Sequence, residues 1–262
     1  MDITQSYCHL DASASYMYPD EPPITQKKKA GRQPRSTGSR IPSNWEDQTE
    51  SQNQRASNSN SSNPSINRRN QFIYESDIPE PGRRHISGWN NVRGDGNCGY
   101  RCLAQLCYNE QEQWVRVRQD LLQELENNML LYLPEWGQQM IDQMIRGLSW
   151  FAGPCPAQYY LTLPEMGPLV ATRYQRLFTV YDIQGGSVTH LPYECRTASP
   201  DPPPANQEWT LALVNGGNHF IRLQLYRESP LPPIWQNWEF HAEDRIAHWP
   251  DHYDVRLRQW WP

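Results

Sequence analysis

The chain has 262 residues, 37% of them hydrophobic, with a net charge of −5 and a mean hydropathy of −0.85. That length suits one sizeable domain with tails or two small ones, and the apolar content is too low for a chain packed from end to end. The mild acidity argues against nucleic-acid binding by the folded part, no run reaches the roughly 18 apolar residues of a membrane span, and the opening MDITQSYCHLDAS lacks a signal-peptide core.

Charge and composition change along the chain. Up to His85 there are 11 Lys and Arg against 10 Asp and Glu, and beyond it 13 against 19, so the second part is near −6 and suits a basic partner. Residues 1–85 are rich in Ser, Asn, Gln and Pro, as in SQNQRASNSNSSNPSINRRNQ. Such a segment cannot bury enough apolar surface to offset an ordering entropy of about 1–2 kcal/mol per residue, and is read as a disordered tail. Its basic run Lys27 to Arg35 is a solvated patch or a nuclear-import signal, and the Asn60 sequon is idle without a secretory signal. The six cysteines have no framework spacing, so free thiols and an intracellular location, cytoplasm or nucleus, are expected.

Order is expected from about Ile86. Tyr100, Leu103, Ala104 and Cys107 recur at helical spacing, followed by a second helix with Trp114, Val117, Leu121, Leu122, Leu125 and Met129 on one face. Pro134 fits the first turn of a third helix, and a fourth runs from Pro164 to about Gln175. LFTVYDI and SVTHLPY then predict a hairpin around Gln184–Gly186, and WTLALVN and HFIRLQLY a second strand pair joined by Gly216, Gly217 and Asn218. Helices first and a mainly antiparallel sheet second define an α+β domain over 86–228. The extension 229–262 holds five of the chain's 11 tryptophans, a density that predicts packing onto that domain.

The chemistry concentrates in NVRGDGNCGYRCLAQLCYN, from Asn91 to Asn109. Cys98 follows Gly96 and Asn97 and opens a helix, whose unpaired N–H groups stabilise a thiolate and can face an oxyanion. Gly94 and Gly96 permit a tight turn and keep side chains away from an approaching peptide. A cysteine nucleophile needs a base, and His219, held at the start of a strand after a Gly-Gly-Asn turn, is the best placed. Cys98, Cys102 and Cys107 lack a zinc-knuckle spacing, so Cys102 and Cys107 are read as riding on the helix behind the nucleophile. His248 and His252 are four apart, but Pro250 between them breaks a helix interior, so they are read as surface residues rather than metal ligands.

GDGNCGYR, followed far downstream by NHFIRL, resembles the ovarian-tumour (OTU) family of papain-like cysteine proteases over Trp89 to Tyr226. The resemblance implies a papain-like OTU domain that cleaves isopeptide or peptide bonds at the C-terminus of ubiquitin or a ubiquitin-like protein, acting as a monomer with no cofactor and no metal. It makes Cys98 the nucleophile, His219 the general base and Asp95 the acidic member, with an oxyanion hole from the backbone amides of Gly96, Asn97 and Cys98. One position departs. Many members carry Asn or Asp two residues after the histidine, and here that residue is Ile221, which cannot accept an imidazole N–H. Orientation of the ring then falls to Asp95, to Asn218 or to a group not visible in the sequence, with Asp95 expected. Two other readings stay open: a ubiquitin-binding module without turnover, and a papain-like protease or acyltransferase with another substrate.

Overall fold

The structure is a computed structural model that describes residues 72–261. The predicted tail, with its basic run and sequon, therefore lies outside the described residues up to residue 71. The fold is α+β. A five-stranded sheet runs in the order β1-β5-β4-β2-β3, with β1 Ile86–Asn90, β2 Phe178–Asp182, β3 Val188–His190, β4 Trp209–Val214 and β5 His219–Leu225. All neighbours are antiparallel except β2 and β4. The helices are α1 Cys98–Tyr108, α2 Trp114–Asn127, α3 Met129–Leu148, α4 Met166–Tyr174 and α5 Trp249–Arg258.

The predicted faces explain the packing. Leu103, Val117, Leu121, Leu125, Met144 and Leu169 are buried with Phe178, Leu211 and Phe220 in one core between the helices and the sheet. A second, smaller core lies on the other sheet face, where Tyr74 and Ile78 meet Tyr181, Val214, Ile221 and Trp260. Folded structure therefore starts ahead of the expected boundary at Ile86. Phe72–Tyr74 is a run of only three apolar residues, cut off from Ile78 by Glu75, Ser76 and Asp77, so no periodic pattern announces them, yet Phe72 and Tyr74 pack their rings against Trp89 at centroid distances of 5.6 and 5.5 Å. The strand β1 also precedes the helices, pairing with β5 at the sheet edge.

Two further differences concern proline and glycine. The third helix begins at Met129 rather than at Pro134, and it is interrupted at Gly137, whose φ of 67° and ψ of 163° lie outside helical values. Pro250 sits in the first turn of α5, where its missing N–H costs nothing, so His252 is helical after all. The tryptophan-rich end is held by specific donors. The indole N–H groups of Trp238 and Trp249 donate to the carbonyls of Pro192 (2.9 Å) and Pro200 (2.6 Å), and Arg256 pairs with Glu208 at 2.7 and 2.8 Å. None of the described helices is long and apolar enough to cross a membrane.

Candidate active site

The sequence Gly94-Asp95-Gly96-Asn97 forms the turn that delivers Cys98 to the first position of α1. Gly96 has φ +81°, and a Cβ there would run into the Cys155 carbonyl and lie 2.6 Å from the Tyr160 ring, so only glycine fits. Asp95 fixes the turn from inside. Its carboxylate accepts from the Asn97 amide (3.1 Å) and from both sides of the Arg101 guanidinium (3.1 and 2.6 Å), and Arg101 also reaches Glu112 at 2.9 Å. Burial works to raise the Asp95 pKa, but the Arg101 hydrogen bond and charge outweigh it and hold the carboxylate below its ordinary range. On the other side, the Cys155 amide donates to the Asp95 carbonyl (2.8 Å) and the Asn97 side chain donates to the Gly153 carbonyl (3.1 Å). The loop before Cys98 is thus pinned to its own helix and to the segment 153–160 opposite it.

Cys98 is buried, 6% exposed, and burial pushes its thiol up. The backbone amides of Phe220 and Gly99 work against that rise by favouring the anion. Their involvement places the sulfur beside the residue that follows His219. Close helix–strand packing makes this possible: Gly99 has room for no side chain between Leu161 and Phe220, and the Cys102 thiol donates to the Phe220 carbonyl at 3.5 Å.

His219 opens β5 after a turn in which Asn215, Gly216 and Gly217 all have positive φ. The orienting partner of its ring is Asn91, at 2.7 Å from Nε2. Neither Asp95 nor Asn218 fills that place: Asp95 is committed to Arg101 and the Asn97 amide, and the Asn218 side chain donates to the Asn215 carbonyl at 3.2 Å. The Asn91 oxygen also accepts the Val92 amide N–H at 2.9 Å, a group that can only donate. That contact fixes which end of the Asn91 amide is oxygen, so Nε2 must carry the proton it gives to Asn91. Nδ1 is left as a lone pair, on the side of the ring facing Gly94, where a Cβ would lie 3.7 Å away. Burial lowers the imidazole pKa to about 4, and the Asp95 charge raises it only in part. The ring is therefore neutral at pH 7 and able to take a proton.

The expected oxyanion donors are also revised in one respect. The Asn97 N–H is spent on the Asp95 carboxylate, leaving the amides of Gly96 and Cys98 from the predicted set. Ile221 faces the second core, wholly buried, far from any role in holding the ring. Nothing local in the sequence connects Asn91 to a histidine 128 positions away, so the residues alone do not announce it. What brings them together is the pairing of β1 with β5.

No family model matches the chain, and no curated protein sequence matches it. Among solved structures it is similar to the viral OTU domain protease of Dera Ghazi Khan virus, at 14% identity and a TM-score of 0.38, over 56% of this chain and 85% of that one. The viral OTU domain protease of Qalyub virus is similar at 13% identity and a TM-score of 0.37, over 55% and 87%. The Hazara virus OTU bound to ubiquitin is similar at 14% identity and a TM-score of 0.35, over 53% and 81%. At these TM-scores the likeness is loose, and the functional reading stands on the geometry of the site.

Proposed function

We propose that this chain is a cysteine-type hydrolase of the OTU kind that cleaves peptide or isopeptide bonds at the C-terminus of ubiquitin or a ubiquitin-like protein. What supports the reading is a helix-opening cysteine on a helix that packs against the start of β5, where the His219 ring is neutral and has its Nε2 tied to Asn91. His219 Nδ1 takes the proton of the Cys98 thiol as the sulfur attacks the carbonyl carbon. The negative oxygen that results is met by the amides of Gly96 and Cys98. His219 returns the proton to the departing amine, and the thioester forms. Water then gives its proton to Nδ1 and its oxygen to the acyl carbon, and the proton goes back to the sulfur.

The glycine pair supports an extended, glycine-ended substrate, since Gly94 leaves the approach to His219 open. The binding-only reading rested on Ile221, and the Asn91 contact removes that ground. A ubiquitin bearing a C-terminal electrophile is expected to label the protein at Cys98, and Cys98→Ala to abolish labelling. Labelling that persists in Cys98→Ala would remove the nucleophile from the reading, and a reactive Cys98 that no ubiquitin-type probe labels would remove the substrate.

A further inference from the structure

The end of β5 remote from His219 carries polar groups that the fold leaves unused. Pairing of β4 with β5 ends at Thr210 and Leu223, and beyond it Gln224 and Leu225 pair with β1 alone. A cavity of about 210 Å3 opens at that step, with Thr210, Arg222, Gln224 and Arg227 around it and Leu106 of α1 on one side. Glu208 is the one carboxylate in the lining, and it is spent on Arg256 at 2.7 and 2.8 Å. The four polar side chains make no hydrogen bond and no ion pair among the described residues. Two guanidinium groups therefore border one cavity without a counterion. Arg222 is half-buried, and its Nε is closed off from solvent with no partner. An N–H withdrawn from water is unfavourable until an acceptor meets it.

We propose that this cavity is a binding site for a small phosphate, either free orthophosphate or the phosphate group of a small monoester. Two unpaired guanidinium charges match a dianion, whereas a carboxylate balances only one of them. An oxyanion on the Nε edge of Arg222 gives acceptors to Nε and to a terminal nitrogen together, the paired geometry in which arginine holds phosphate best. The Thr210 hydroxyl and the Gln224 amide are free to donate to the remaining oxygens. Size limits the ligand. At about 30 Å3 per water the cavity equals roughly seven waters, and pockets for larger organic ligands begin at roughly 300 Å3. A phosphate with a short substituent fits and a nucleotide does not. Neither Cys98 nor His219 lines the cavity, so the inference stands apart from the proposed hydrolase.

The test is broadening of the phosphorus NMR line of sodium phosphate by the full chain, at about pH 8 and at an ionic strength held constant with sodium chloride. Phosphate is expected to bind with a Kd of about 1 mM or below. Arg222→Gln should weaken it about 10-fold or more, and Thr210→Val about threefold. Glycerol 3-phosphate and acetate are then added as competitors. Acetate should displace phosphate at least about 10-fold less well than unlabelled phosphate does. Displacement by glycerol 3-phosphate at lower concentration than orthophosphate assigns the site to esters, and the reverse order assigns it to the free ion. No broadening at about 20 mM phosphate, equal competition by acetate, or wild-type affinity in folded Arg222→Gln overturns the proposal. If Arg222→Gln does not fold, Arg227→Gln at the exposed rim decides: a loss of about threefold or more is expected, and unchanged affinity overturns the proposal.

Discussion

The two halves of the site are built to different standards. On the Cys98 side, Asp95, Asn97 and the Cys155 amide tie the turn to Arg101, Arg118 and the segment 153–160 through buried or half-buried hydrogen bonds, those to the arginines charge-assisted. On the histidine side, the imidazole has one hydrogen bond, to the neutral amide of Asn91. The difference shows where precision is needed. In the proposed mechanism the oxyanion donors are backbone groups and must be held by fixing the turn itself, while a general base needs only its tautomer and one rotation set. The nucleophile half should therefore fail by losing structure, and the histidine half by losing rate.

The largest expected effect breaks the site outright. Cys98→Ala should leave no turnover, and His219→Ala should cost about a thousandfold or more in kcat, both with thermal midpoints close to wild type. Next comes the structural core of the nucleophile half. Asp95→Asn leaves Arg101, 2% exposed, short of its main partner, and calorimetry or denaturant unfolding should show a loss of about 3–5 kcal/mol. Asn91→Ala is the sharpest probe of the comparison. It should lower kcat by about 10- to 100-fold, a fraction of the general-base contribution, and shift stability little. A loss equal to that of His219→Ala would show that the histidine half is as demanding as the other.

The smallest effect is acid sensitivity. Burial lowers His219 to about 4 and His190, 0% exposed with both ring nitrogens unpartnered, to about 3. The unfolded chain takes these protons near the ordinary imidazole value of 6.5, before the folded one does. Stability is thus complete above about pH 6.5 and falls as pH drops toward 4 and then 3, by about 1.4 kcal/mol per histidine at pH 5.5. Thermal unfolding between pH 7 and 5 should show the decline, and His190→Leu should flatten it. A midpoint constant over that range would mean that neither ring is held neutral.

The sequence disclosed what is local. Helical periodicity found α1, α2 and α4, alternation and the Gly-Gly-Asn turn found β4 and β5, and the glycines around Asp95 marked Cys98 as the start of a helix. What it concealed depends on partners distant in the chain. ISGWN is too short and too polar to announce a strand, and it becomes one only because β5 offers an edge. Asp95 is the nearest acid to the motif, which made it the natural choice to hold His219, but an arginine six residues on, at a helical spacing from the loop, claims it first. Pro250 was read as a breaker because its effect depends on whether it sits inside a helix or in its first turn, a boundary the residues alone do not mark.

The packing of Tyr74 under the sheet reaches further than the second core. Its hydroxyl accepts from the Asn91 side chain at 3.4 Å, and three residues later the Asp77 carboxylate accepts the Asn215 amide at 3.0 Å, in the turn that leads to His219. The segment before β1 thus grips both the partner of the imidazole and the bend that presents it. A chain shortened to begin at Ile86 would keep every residue of the two sequence motifs and lose the hold on one of them. The proper limit of the folded domain is therefore set by what steadies its histidine, about fourteen residues ahead of Ile86.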